Sequence, residues 1–144
     1  MTTVAIIINA KGRSVITLSP QRTLREAVDL LAERRIGALV VTGVDGAVLG
    51  ILSERDVVRV LASEGARVLD DKVSRIMTSR VKTCTPYDTV EDVMEMMTAG
   101  RFRHVPVMDG GKLAGIVSIG DVVKHRLADF ENEHKALREY IATA

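Results

Sequence analysis

Two serine–aspartate pairs lead the residues whose types and spacing could do chemistry. Ser53 and Asp56 lie in the stretch Gly50–Val58, G-I-L-S-E-R-D-V-V, and Ser118 and Asp121 lie in Gly115–Val123, G-I-V-S-I-G-D-V-V. In each, a short apolar run stops at a serine, and a carboxylate follows three residues later. That is the pattern of a strand ending at a helix N-cap, with an acid at the third helical position that can bond back to the cap. Capping alone accounts for the spacing without any ligand. Cys84 with His104 could suggest a thiol nucleophile, but a reactive thiolate needs a nearby cation or helix N-terminus to lower its pKa. A small buried cysteine after a strand is the simpler reading. His125 and His134 lie on a charged helix without metal-ligand spacing. There is no G-x-x-x-x-G-K-[ST] phosphate loop.

The recurrence matters more than either pair. Glycine, isoleucine, serine, aspartate and two valines return in the same order about half a chain apart, which is an internal repeat. Around them, Val15, Thr17, Pro20, Thr23, Arg35 and Val41 match Val81, Thr83, Pro86, Thr89, Arg101 and Val107. At 144 residues the chain reads as one domain of two repeats. Each half of about 60–70 residues would be marginal alone, so the halves are expected to share a core.

The elements that must position these pairs follow from patterning. Val4–Ala10 is an apolar run that periodicity does not assign, broken by Lys11-Gly12-Arg13. Val15–Leu18 reads as a strand, Ser19-Pro20 as a turn, and Thr23 with Glu26 as a capping box opening a helix that Gly37 ends. Leu39–Val41 and Ala47–Leu52 form a hairpin around Val44-Asp45-Gly46, and Ser53 starts a helix through Leu61. Gly65 to Lys72 reads as a linker. The second half runs in parallel: a short helix at Val73–Met77, a strand at Val81–Cys84, a Met-rich helix at Thr89–Gly100, a strand at Val105–Val107, a turn at Asp109-Gly110-Gly111, a strand at Leu113–Val117 and a helix from Ser118. Pro106 inside its strand predicts an edge or a bulge. Val123, Leu127, Phe130, His134, Leu137 and Ile141 are spaced 4, 3, 4, 3, 4, the seam of a helix that packs on another helix.

Composition narrows the function classes. Net charge is +1, from 20 Lys and Arg against 19 Asp and Glu, so no basic footprint for nucleic acid or membrane is present. Two Tyr, two Phe and no Trp leave little for base stacking. The single Cys84 allows no intramolecular disulfide and fits a reducing compartment. Val4–Ile8 is too short to span a bilayer, and no basic-then-apolar leader is present, so a cytoplasmic protein is expected.

Strand, helix, hairpin and G-h-h-S-x-x-D, twice in tandem, together with R-F-R-H-V-P-V at Arg101–Val107, resemble a pair of CBS (cystathionine-β-synthase) domains. The resemblance covers about Val4 to Leu127. It implies an α/β fold of two β-α-β-β-α motifs about a pseudo-twofold axis: motif 1 over residues 1–64, a linker over 65–72, motif 2 over 73–128, and a helical extension over 129–144. It implies a regulatory module with no catalysis of its own, binding AMP, ADP, ATP or NAD, sometimes S-adenosylmethionine, with no obligatory cofactor. It also implies a homodimer acting on an unidentified regulated protein.

The family's ligand residues carry over to Asp56 and Asp121 for the ribose hydroxyls and to Ser53 and Ser118 for ribose or phosphate. Adenine would lie against Thr17-Leu18 and Thr83-Cys84, with Ala38 and His104 nearby, and in the family a basic residue at the position of His104 can reach the nucleotide of the first motif. Arg55, Arg103 and His104 are the cations expected to face phosphates. A carboxylate can accept from both ribose hydroxyls, and a helix N-terminus beside it favours phosphate. The halves differ where Glu54-Arg55 becomes Ile119-Gly120 and Gly37-Ala38 becomes Arg103-His104, so unequal sites are expected. The rival readings are an adaptor with empty clefts working through its last helix, and a hydrolase using Cys84.

Overall fold

The computed structural model describes residues 2–143. In chain order the elements are α1 (Val4–Lys11), β1 (Thr17–Leu18), α2 (Leu24–Arg34), β2 (Ala38–Thr42), β3 (Val48–Ser53), α3 (Glu54–Glu64), a 3-10 turn (Ala66–Asp70), α4 (Val73–Ile76), α5 (Val90–Gly100), β4 (His104–Asp109), β5 (Lys112–Ser118) and α6 (Ile119–Thr143). The class is mixed α/β, as the two-motif pattern expects. Helices α2, α3 and α5 open on reciprocal capping boxes, Thr23 with Glu26, Ser53 with Asp56 and Thr89 with Asp92. Each box satisfies two N-terminal N–H groups that the helix itself leaves without partners. At their far ends α2 and α5 stop alike, on Arg35 and Arg101 in the left-handed region (φ 54° and 55°). Gly37 is therefore not the terminator of α2; the chain has already turned at Arg35.

The chain forms two compact units. One comprises residues 14–81 with 110–114, and the other residues 2–13, 82–109 and 115–143. In the first, β1 runs parallel to β2, and β2 antiparallel to β3, with Ala38 opposite Ser53 and Val40 opposite Ile51. Strand β2 is buried from Ala38 to Val41, which is why it reads as an unbroken apolar run rather than an alternating one. Leu39, Val41 and Leu52 of the sheet pack with Leu24, Ala27 and Leu31 of α2 and Val57 of α3. Val68 and Val73 complete this cluster, both fully buried. The 65–72 stretch, expected as a plain linker, thus folds and contributes to a core.

In the second unit the buried residues come from α5 (Val90, Val93, Met97), β4 (Val105, Val107), β5 (Val117), α6 (Val122) and α1 (Val4, Ile7, Ile8). The run that periodicity left unassigned is therefore a helix, and it is buried because it docks here. The docking repeats in the other unit. Val4 N–H donates to Asp88 O, Ala5 N–H to Pro86 O and Val90 N–H to Thr2 O. Correspondingly, Val73 N–H donates to Arg22 O, Ser74 N–H to Pro20 O and Leu24 N–H to Asp71 O. So α1 is the structural counterpart of α4. Each leading segment completes the unit built mainly from the other half of the chain.

One expected strand shrinks for an identifiable reason. Val15–Leu18 is reduced to Thr17–Leu18, extended by a bond from Val40 N–H to Ile16 O of 3.3 Å. The expected strand Val81–Cys84 keeps only a parallel bridge between Cys84 and Val107, with Cys84 N–H to Pro106 O at 3.0 Å and Met108 N–H to Cys84 O at 2.8 Å. Pro106 stands where Val40 stands in the first half. It has no N–H to give to the carbonyl of Lys82, so the ladder stops one step early.

Glycines 50 and 115 mark where the leading segments cross. A Cβ at Gly50 would lie 2.6 Å from Met77 Sδ and 2.8 Å from Thr78 O, and one at Gly115 would lie 2.9 Å from Ile8 Cγ2. At Gly50 the obstacle includes backbone that is itself paired, Thr78 exchanging both bonds with Ile51 at 2.9 Å. Gly50→Ala is expected to destabilise the fold by about 1–3 kcal/mol, the usual cost of overpacking a filled site. Urea unfolding of the variant beside the parent measures this; a loss under about 0.5 kcal/mol, the range of neutral surface changes, would mean that the crossing segment yields.

Candidate functional site

Each of the two residue sets lies within one unit. In the first, Ala38 begins β2, Ser53 ends β3 opposite it, and Asp56 sits in the first turn of α3. Glu54 N–H donates to Gly37 O at 2.9 Å, tying the helix start to the start of β2. Thr17 and Leu18 pair with Val40 and Val41, two and three residues further along β2 than Ala38. In the second, Ile119 N–H donates to Arg103 O at 2.8 Å, the same tie between helix start and strand start. His104 begins β4 and Ser118 ends β5. Thr83 is exposed, and Cys84 opposite Val107 is buried. Arg55 and Arg103 are exposed and make no ion pair among the described residues.

The two carboxylates repeat one geometry. Asp56 Oδ2 accepts from Ser53 N–H and Ser53 Oγ, each at 3.0 Å, and Asp56 N–H donates back to Ser53 Oγ at 3.2 Å. Asp121 Oδ2 accepts from Ser118 N–H at 2.9 Å and Ser118 Oγ at 3.0 Å, and Asp121 N–H donates back to Ser118 Oγ at 3.2 Å. Capping thus engages one carboxylate oxygen. The other oxygen of Asp56, Oδ1, has Arg59 Nη1 at 3.9 Å, beyond hydrogen-bond range.

Asp121 carries an additional partner that sequence reasoning missed. Lys11, at the end of α1, donates from Nζ to Asp121 Oδ2 at 2.6 Å and to Ile116 O at 3.1 Å. Burial pushes the Asp121 carboxyl up, but the bond and charge of Lys11 and the bonds from Ser118 outweigh it, so the net shift is downward. The sequence marked Lys11 only as the break after an apolar run. Its role follows from where α1 docks, and nothing local encodes that.

The surroundings of Cys84 disfavour a thiolate: burial first, and the negative charge of Asp88 second, push its thiol up to about 12. Among the described residues no cluster of His, Cys, Asp and Glu could hold a metal ion, and no helix is long and apolar enough to cross a membrane. The methionines of α5 are core filling: Met97 is buried, with Met94 and Met96 half-buried.

Comparison with known proteins places the chain. The chain is 35% identical over 97% of its length to a mitochondrial CBS domain-containing protein of Arabidopsis thaliana, 72% of which it covers. It superposes on the crystal structure of a CBS-domain containing protein from Agrobacterium tumefaciens with a TM-score of 0.84 and 50% identity, covering 87% of this chain and 93% of that one. A CBS domain protein of Pyrobaculum aerophilum complexed with AMP matches at 30% identity and a TM-score of 0.73, covering 83% of this chain and 88% of that one. A CBS domain pair in complex with 5′-methylthioadenosine and S-adenosyl-L-methionine matches at 25% identity and a TM-score of 0.79, covering 90% and 98%. The CBS domain family model matches residues 11–63 and again 73–128. The two serine–aspartate corners are one motif used twice, and the chain belongs to the CBS domain family as a tandem pair.

Proposed function

We propose that this protein is a regulatory adenine-nucleotide-binding module, taking AMP, ADP, ATP or NAD at the Ser53–Asp56 and Ser118–Asp121 corners and doing no chemistry itself. One observation carries the reading. Among the described residues four capping boxes occur, and of these only the two serine–aspartate ones are partly buried. The side chains of Asp56 and Asp121 are 13% and 22% exposed, against 45% for Glu26 in an otherwise equivalent box. The bonds of the Thr89–Asp92 box are exposed as well. A cap gains nothing from desolvating its carboxylate, which costs free energy. A partly buried carboxylate with a spare oxygen is what a ribose diol requires. The relatives with AMP, 5′-methylthioadenosine and S-adenosylmethionine support an adenosine ligand, since adenosine is the part those three molecules share.

Arg55, Arg103 and His104 are the cations that would favour phosphorylated forms, and Thr17-Leu18, Ala38 and Thr83-Cys84 would bound the adenine. The bound state acts by population shift: a ligand stabilises whichever arrangement of the motifs it binds better and passes that bias to a regulated partner. Cytoplasmic placement rests on the free thiol of Cys84 and its fit to a reducing compartment.

Asp56→Asn separates ligand from cap. Asparagine keeps one acceptor oxygen for the cap and replaces the other with a donor. Stability should fall by no more than about 1 kcal/mol. AMP binding should weaken by about 1.5–3 kcal/mol, the value of a hydrogen bond to a charged group, or roughly tenfold or more in Kd. Melting of the ligand-free protein and calorimetric titration with AMP on the same samples check both; unchanged affinity in Asp56→Asn and in Asp121→Asn would leave capping as the sole role.

The assembly proposed is a homodimer in which α6 takes part. Val123, Leu127, Phe130, Leu137 and Ile141 of its seam are exposed, more apolar surface than one helix keeps in water without a partner. In a parallel pair Glu133 would face Arg138 of the other copy across the seam, an opposite-charge match at flanking positions. Truncation after Ala128 should shift sedimentation from dimer toward monomer at micromolar concentration. A monomeric parent rejects the dimer, and a truncated chain that dimerises as well as the parent removes α6 from the interface.

A further inference from the structure

The two aspartates share a cap geometry, yet only Asp121 meets a cation delivered from another part of the chain. The origin lies in how the leading segments continue after their matched docking. In one unit the chain leaves α4 and extends, and Thr78 N–H donates to Ile51 O at 2.9 Å. In the other, α1 stays helical through Lys11, Gly12 N–H closing its last turn on Ile8 O. There the Lys11 ammonium, a side-chain donor, spans Ile116 O, the counterpart of Ile51 O, and Asp121 Oδ2.

We propose that Lys11 is a built-in competitor for ligand at the second motif: bonded to Asp121 Oδ2, its ammonium draws on the same carboxylate charge that a ribose hydroxyl at the remaining oxygen would use, so that this site binds ribose more weakly while Lys11 stays in place. The inference rests on the nucleotide reading of Asp121 and adds to it a residue outside the repeated motif that makes the two sites unequal. Three donors, two from Ser118 and one from Lys11, already converge on Asp121 Oδ2, where Asp56 Oδ2 receives two. Four bound acceptors and donors at the start of α1 and its fully buried Val4, Ile7 and Ile8 fix the helix, so the ammonium is presented at one place. The Lys11 side chain is 35% exposed and can leave by rotating into solvent without unfolding anything. The competition is therefore a tax on binding, and not a permanent block.

The test uses the full chain with the first site weakened by Asp56→Asn and reads AMP binding at the second site by calorimetry. Adding Lys11→Met, which keeps the packing of the side-chain stem and removes the charge, should tighten binding about three- to tenfold, the range of a partly exposed ion pair. Further addition of Asp121→Asn should abolish the gain, and Lys11→Arg in place of Lys11→Met should leave affinity within about twofold of the background. In the unmodified protein, saturating AMP should speed amine labelling of Lys11, followed by mass spectrometry, which needs no variant to fold. Unchanged or weaker binding in Lys11→Met, with Asp121→Asn still costing affinity, overturns the competitor while the nucleotide reading stands. Slowed or unchanged labelling of Lys11 also overturns it. AMP binding indifferent to both Asp56→Asn and Asp121→Asn would instead sink the nucleotide reading and the competitor together.

Discussion

A strand that runs directly into a helix must change backbone conformation within one residue, and the first N–H groups of the helix then lack partners. At the ends of β3 and β5 the solution is the reciprocal bonding of serine with the aspartate three residues on. The tie from the next N–H to Gly37 O or Arg103 O fastens that corner to the start of the neighbouring strand. The rest of each unit depends on this joint. It fixes the direction in which α3 or α6 leaves the sheet, and so which side chains reach the core. It also holds a carboxylate at a helix N-terminus, where its charge is favoured. A structural device and a ligand-competent group are thus the same residue.

The second dependence is on chain segments that cross over. Neither half buries its own sheet edge completely; α4 with Met77 and Thr78 covers Gly50, and α1 with Ile8 covers Gly115. Side chains at those glycines would collide with the crossing segment, so the glycine of the repeated motif is there for close approach. The burial of Val4, Ile7 and Ile8 on one side and of Val73 on the other accounts for how two marginal halves become stable.

Much of this was legible in the residues. The three-residue spacing of serine to aspartate gave the caps, the apolar runs and turns gave the hairpins, and the return of the motif gave the duplicated plan. What escaped was non-local. The helical state of Val4–Lys11 is set by docking, since a short apolar run has no period that distinguishes helix from strand. The 3-10 turn at Ala66–Asp70 reads as a linker because of its charged residues, although Val68 is buried and Leu69 packs against the same cluster. The shortening of the strand at Val81–Cys84 was implicit in Pro106, but its meaning appears only when the missing N–H is matched to the Val40–Ile16 bond of the other half.

The same distinction governs the candidate sites. The motif G-h-h-S-x-x-D specifies a cap and leaves one oxygen over; it does not specify what that oxygen or its partner meets. For Asp56 the surroundings include Arg59 of its own helix, too far to bond, and a pocket that Arg75 and Ile76 of α4 also line. For Asp121 they include Lys11, more than a hundred residues earlier, placed by hydrogen bonds at the opposite end of α1. A side-chain ammonium substitutes there for a backbone donor because α1 continues for another turn where α4 stops. One extra helical turn, outside the repeated motif, is thus enough to give two copies of one sequence different electrostatic environments. Reading duplicated motifs as duplicated sites neglects this, because a carboxylate's affinity is set by every donor that reaches it and the motif supplies only part of them.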